Sequence, residues 1–200
     1  MPLGHPTLET PVDLIVGLGN PGPKYDMTRH NAGADLVREL VSSLNGCLKS
    51  ESKFYGETAK LTIAGREVRL LIPSTFMNLS GRAVAAIAKF YQIPAPRILV
   101  VHDELDLEPG ITRFKKGGGH GGHNGLRDII KYLGNNSEFS RLRIGIGHPG
   151  QASQVADYVL KKASVADRQL IADSIEKALI YLPLAIDGDW EKAMTALHSE

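Results

Sequence analysis

The sequence predicts one α/β domain, a twisted mixed β-sheet flanked by helices. Short apolar runs such as residues 12–18 and 98–101 alternate along the chain with segments of helical period, which is the pattern of parallel strands covered on both faces. Two alternating segments around Ala64-Gly65-Arg66 read as a hairpin, which adds antiparallel pairing. With 200 residues, 42% of them hydrophobic, the chain has enough apolar surface for one core without disulfides or metal. The expected organisation is a flexible extension over residues 1–11, rich in Pro, Thr and Gly, followed by a single domain over residues 12–200.

Each element has its own warrant. Residues 12–18 are a buried strand. Residues 34–44 form a helix with Val37, Leu40, Val41 and Leu44 on one face. Residues 55–63 and 67–72 are the hairpin arms. Val84, Ile87, Ala88 and Tyr91 mark a second helix that stops before Pro94. Residues 98–101 and 112–116 are strands, 126–133 a short helix that starts inside a glycine-rich region, and 141–146 a further strand. The tail reads as helices over 154–160, 166–182 and 190–197, the second with Ile171, Ile175, Ala178 and Leu182 inward. No internal repeat or low-complexity tract interrupts this order.

Composition excludes several classes of protein. The single cysteine, Cys47, rules out an intramolecular disulfide framework and fits a reducing compartment. No segment approaches the ~20 apolar residues of a membrane span, so a cytoplasmic protein without membrane contact is expected. The formal net charge is only +1, yet residues 113–143 hold seven basic side chains against two acidic ones. That excess favours an anionic partner such as nucleic acid.

The candidate chemistry gathers at loops. His102-Asp103-Glu104 closes an apolar run, and six glycines follow within nine residues around His120, His123 and Asn124. Glycine lets backbone approach a ligand closely, so the segment reads as a flexible rim. His30 stands at a loop–helix junction with Asn31 placed to cap the helix. Strand ends on one edge of a sheet converge in space, which makes Asp103 a candidate partner for His30. A carboxylate that fixes the tautomer of a histidine and stabilises its imidazolium makes that histidine a general base. Asn20, Asn78 and Asn124 fall at three loop sites of the same kind. Neutral amides recognise a carbonyl without adding a charge that perturbs the histidine, although Asn78 also reads as a simple helix cap.

Three rival chemistries are set aside. Residues 17–22 match G-x-G-x-x-G after a strand, but a dinucleotide fingerprint needs a helix starting within the glycine turn, and Pro21 and Pro23 forbid it. His30, His102, His120, His123 and His148 do not form the H-E-x-x-H set of a zinc hydrolase, so no metal is expected. No G-x-S-x-G elbow supports a serine nucleophile.

Taken together, GLGNPG (Gly17 to Gly22), Tyr25, TRHNAG (Thr28 to Gly33), FMNLSG (Phe76 to Gly81), HDELD (His102 to Asp106), GGGHGGHNGL (Gly117 to Leu126) and RLRIGIGHPG (Arg141 to Gly150) resemble the bacterial-type peptidyl-tRNA hydrolases. The resemblance implies that family's α/β fold over a catalytic domain of residues 12–200. It also implies a monomeric, cofactor-free esterase that releases tRNA from N-blocked peptidyl-tRNA by a histidine-activated water. By matching position it makes His30 the proton acceptor, Asp103 its stabiliser and Asn20 the residue that distinguishes a blocked from a free amino end. Tyr25, Phe76, Asn78 and Asn124 match tRNA and peptide contacts, and Lys115 and Arg143 match basic positions for the tRNA body. Where some relatives place a phosphate-binding lysine, this chain has Gln151-Ala152, with Lys161 or Lys162 as substitutes. The competing reading is a non-catalytic RNA-binding protein on the same scaffold.

Overall fold

The computed structural model describes residues 10–199. Among them, β1 (Leu14–Gly17), β4 (Arg66–Pro73), β5 (Ile98–Glu104) and β7 (Ser140–Gly145) run parallel at the centre of one sheet. On one side β3 (Gly56–Ile63) and β2 (Lys49–Glu51) extend it antiparallel, and on the other β6 (Thr112–Lys116) closes it antiparallel to β7. The order across the sheet is β2-β3-β4-β1-β5-β7-β6.

The alternation of side chains along β1 separates two cores. Ile15 faces Val37 and Leu40 of α1 (Ala32–Ser43), Ala178 and Leu182 of α5 (Val165–Ile186), and Trp190 and Leu197 of α6 (Trp190–His198). Leu14 and Val16 face Val84 and Ile87 of α2 (Ser80–Phe90) and Leu126 and Ile129 of α3 (Asn124–Tyr132). Burial on both faces explains why the central strands read as continuous apolar runs. A short α4 (Val155–Val159) precedes α5.

The structure departs from the sequence reading in a few places, each with a local cause. Polar β2 has no hydrophobic signature and exists through its ladder with β3, reinforced by the Thr58 hydroxyl donating to the Glu51 carboxylate. Strand β5 runs past residue 101 to Glu104, so Asp103 lies inside the ladder opposite Ile144. Helix α5 continues through Pro183 to Ile186; only the last turn lacks the proline N–H, and Asp187 N–H still reaches the Pro183 carbonyl at 3.1 Å. Asn31 stands at the cap position of α1, but its side chain makes no cap bond. Of the expected N-terminal extension, residues 1–9 lie outside the described residues. Thr10 accepts the Trp190 indole N–H at 3.1 Å, and Val12 N–H bonds the Ile186 carbonyl at 3.0 Å.

One close approach positions everything that follows. A Cβ on Gly33 would lie 2.1 Å from the Val101 carbonyl oxygen and 2.9 Å from the Leu18 nitrogen, and one on Gly17 would lie 2.6 Å from Val37 Cγ2. The first turn of α1 therefore rests on the backbone of β5 and the end of β1, which brings the residues just before it to the carboxyl edge of the sheet. The obstacles at Gly33 are main chain and cannot rotate away. Gly33→Ala is expected to destabilise the fold by roughly 3 kcal/mol, whereas Gly119→Ala, with open space around the added methyl, should leave the urea midpoint near wild type. Equal midpoints for the two variants would show that α1 tolerates being lifted from β5.

Candidate active site

Asp103 is the centre of the site. It is buried at 3% exposure and accepts from two imidazoles. His30 Nδ1 lies 2.9 Å from each carboxylate oxygen, and His123 Nε2 lies 2.8 Å from Oδ1. A carboxylate only accepts, so both of those nitrogens carry hydrogen. Burial alone would raise the Asp103 pKa, but the two histidines, by charge and hydrogen bond, hold it far below the ordinary carboxylate value. For His30, burial disfavours the cation, and the charge and hydrogen bond of Asp103 outweigh it, so its pKa stands above the usual 6.5.

The two imidazoles are not equivalent. His123 caps α3: its Nδ1 accepts the N–H groups of Gly125 and Leu126 at 3.1 and 3.3 Å. Both of its nitrogens are therefore committed. His30 Nε2 has no protein hydrogen bond and is not sealed from solvent, so its lone pair is available. His102, the third imidazole here, donates from Nδ1 to the Asp103 carbonyl at 2.7 Å. Burial and the nearby His123 push its pKa down to about 3, which keeps it neutral.

Asn20 is fixed by a clasp that sequence reasoning missed. The Asn31 side chain, instead of capping its helix, accepts the Asn20 N–H at 2.8 Å and donates to the Asn20 carbonyl at 2.9 Å. The Asn20 side-chain oxygen accepts the Met77 N–H at 2.7 Å. A backbone N–H can only donate, which settles the amide orientation. The Asn20 group left unpartnered is Nδ2, a donor, not the oxygen.

Phe76, 53% exposed, meets Tyr25 edge-on with ring centroids 6.1 Å apart. Asn78 lies in the 3-10 turn next to Met77 and caps neither that turn nor α2. Asn124 begins α3, and its side-chain oxygen takes a hydrogen bond from Arg127 at 2.8 Å, leaving its NH2. Lys115 and Arg143 line a 320 Å³ pocket that shares His102 and His123 with the Asp103 cluster. Arg143 sits 3.8 Å from Glu104. Lys161 and Lys162 lie beside the turn before His30, through Arg29 N–H to the Lys161 carbonyl and a bridge from Thr28 to Lys162.

Two expectations need correction. The glycine-rich segment is not a loose rim, because the guanidinium of Arg141 bonds the carbonyls of Gly118 and Gly119. That arginine is 1% exposed, so it leaves the exposed basic face and the charge excess available to an anion is smaller than the sequence count.

Ligand atoms of His30, Asp103 and His123 lie within 4.8 Å of one another, a spacing that suits a cation. The hydrogen bonding works against it. For His123 Nε2 to coordinate, its proton must move to Nδ1, which faces the Gly125 and Leu126 N–H groups.

The chain is similar to known proteins over nearly its whole length. The family model for peptidyl-tRNA hydrolase matches residues 14–200. The chain is 58% identical over 189 residues to the peptidyl-tRNA hydrolase of Tolumonas auensis, covering 94% of this chain and 96% of that one. It is 57% identical over 194 residues to that of Saccharophagus degradans, covering 97% and 98%. A crystal structure of peptidyl-tRNA hydrolase from Acinetobacter baumannii superposes with a TM-score of 0.90 at 48% identity, covering 93% of this chain and 94% of that one. With sequence and fold matched over nearly its whole length, this chain belongs to the peptidyl-tRNA hydrolase family.

Proposed function

We propose that the site hydrolyses the ester between the peptide and the terminal ribose of peptidyl-tRNA by a water that His30 activates. The observation that carries this reading is the open Nε2 of His30 opposite a buried, ionised Asp103. Nδ1–H is tied to Asp103, so Nε2 is the basic atom; it takes a proton from water as the hydroxide adds to the ester carbonyl. Asp103 stabilises the imidazolium that results, which then returns the proton to the departing ribose oxygen. The amide NH2 groups of Asn20, Asn78 and Asn124 serve the acyl carbonyl and its developing oxyanion as donors. Tyr25 and Phe76 offer ring faces to the terminal base or the peptide.

Lys115 and Arg143 hold phosphates of the tRNA body, and Lys161 or Lys162 does so where Gln151-Ala152 carries no cation. The reading extends to a monomer working in the cytoplasm without a cofactor. No helix among the described residues is long and apolar enough to cross a membrane. The non-catalytic RNA-binding alternative is not favoured, since curated relatives 58% and 57% identical to this chain are named as hydrolases.

His30→Ala is expected to lower kcat by about 10²- to 10⁴-fold with tRNA binding largely retained. The base works unprotonated, so the rate climbs with pH through an ionisation above 6.5. Asp103→Asn removes the charge that raises this pKa while burial remains, which moves the acid limb to lower pH at a reduced maximal rate. An unmoved limb in a folded Asp103→Asn enzyme would break the pairing.

Selectivity follows from what Asn20 presents. Its NH2 pairs with a neutral acyl carbonyl and offers no acceptor to the ammonium of free aminoacyl-tRNA, whose burial without a partner is costly. Asn20→Asp keeps an oxygen for the Met77 N–H but replaces the donor by an anion. The kcat/KM ratio of blocked over free aminoacyl-tRNA should then fall by on the order of tenfold, a change of about 1.4 kcal/mol. A constant ratio would remove Asn20 from this role.

Lys115→Ala should weaken binding of full-length peptidyl-tRNA and reduce the slope of log K against log salt by roughly 1. Turnover of a short N-blocked ester should stay near wild type. Arg143→Ala should act in the same direction with a smaller change, because Glu104 already partners it. Equal losses on both substrates would argue against a phosphate contact.

A further inference from the structure

We propose that Arg141 is a positioning residue for the reaction, a buried clamp that sets the glycine-rich loop and through it holds His123 against Asp103. Three backbone carbonyls from two segments converge on its guanidinium. Nη1 donates to Gly119 at 2.6 Å, and Nη2 donates to Gly118 at 2.5 Å and to Ser137 at 3.4 Å. The guanidinium carbon Cζ lies over the Phe139 ring, 4.6 Å from its centroid. A planar fork with several fixed N–H directions suits this convergence, and a lysine ammonium does not reproduce it.

The loop is shaped to meet the clamp. Gly118 has φ +108°, and a Cβ there would come 2.9 Å from Lys115 Cε and 3.3 Å from Arg141 Nη1. A side chain at Gly118 would thus meet two cationic side chains at a backbone φ that favours glycine. Past Gly119 the chain folds on itself, with His123 N–H bonded to the His120 carbonyl at 2.9 Å and Gly122 N–H to His120 Nδ1 at 3.0 Å. The position of His123 is therefore inherited from Gly118 and Gly119, and His123 in turn caps α3 and bonds Asp103.

The charged and titratable groups around this path are Arg143 and Glu104, which act on Arg141, Lys115 beside Gly118, Glu138 beside Gly117, and His102, whose ring centroid lies 5.1 Å from that of His123. Being 1% exposed and bonded to three backbone carbonyls, Arg141 is not a phosphate contact, unlike Lys115. Loosening the loop would withdraw the His123 N–H from Asp103. The carboxylate would then pull harder on the His30 proton, and the acid limb of the pH–rate profile would move to higher pH.

This inference rests on His30 and Asp103 as the base and its partner. The test compares Arg141→Gln, His123→Ala and the double variant on a short N-blocked aminoacyl ester and on full-length peptidyl-tRNA. Arg141→Gln is expected to lower kcat roughly tenfold on both substrates with little change in KM. The salt slope should stay as in wild type, the acid limb should move up in pH as it does in His123→Ala, and the double variant should be no slower than the slower single one. Gly118→Ala, whose Cβ would meet Lys115 Cε at 2.9 Å and Arg141 Nη1 at 3.3 Å at a φ of +108°, should reproduce the kcat loss and the shifted acid limb on the short ester, and serves there if Arg141→Gln does not fold. Independent, additive losses, or a reduced salt slope in Arg141→Gln, would overturn the proposal. The coupling is read from rates alone, so a failure of the base assignment is seen separately, as full turnover in His30→Ala.

Discussion

A carboxylate removed from water is costly unless charged or strongly donating partners surround it, with an effective penalty of several kcal/mol. Asp103 is such a group, and much of the chain's local architecture supplies its partners. His30 arrives because the first turn of α1 lies against Val101, where Gly33 leaves no room for a side chain. His123 arrives because it caps α3. The circuit closes through packing: Gly125 of α3 lies against Met77, Met77 donates to Asn20, and Asn20 is clasped by Asn31, the residue after His30. A displacement at any one member is felt at the carboxylate, which couples the precision of the site to the packing of both helical layers.

The same circuit assigns different work to chemically identical side chains. His102, His123 and His30 surround one aspartate, and they differ in what each second nitrogen meets. For His123 it meets the amides that open α3; for His102 it is sealed and unpartnered. His30 alone keeps an unpartnered lone pair that is not enclosed. An imidazole whose second nitrogen is committed or sealed can support the aspartate but offers no lone pair to substrate, so the geometry separates support from reaction.

How much of this was legible in the sequence follows from what kind of fact each part is. The approach of His30 to Asp103 was legible because parallel strand ends share an edge, and apolar runs locate those ends. The clasp of Asn31 on Asn20 was not, since an asparagine before a helix reads equally well as a cap. Arg141 looked like one more surface cation in a basic stretch, because burial of a charge leaves no mark on local composition. His123 carried the only available signal, a hydrogen-bonding side chain between glycines and the first residue of a helix. Strand β2 depends on its neighbour β3 rather than on its own residues, and the passage of α5 through Pro183 depends on how near the helix end the proline falls.

The separation of charge also explains why the recognition groups nearest the dyad are amides. At an effective dielectric of about 20, a unit charge at ~4 Å is worth about 4 kcal/mol, or about three pKa units. A lysine placed where Asn20 stands would therefore suppress the raised pKa that Asp103 gives His30. On the proposed reading a cation for the RNA backbone is useful only where it does not lower the basicity of His30. That fits Lys115 and Arg143 in the pocket that His102, His123 and carbonyl-bound Arg141 also line, with Arg143 further offset by Glu104, and it fits an amide rather than a lysine at Asn20.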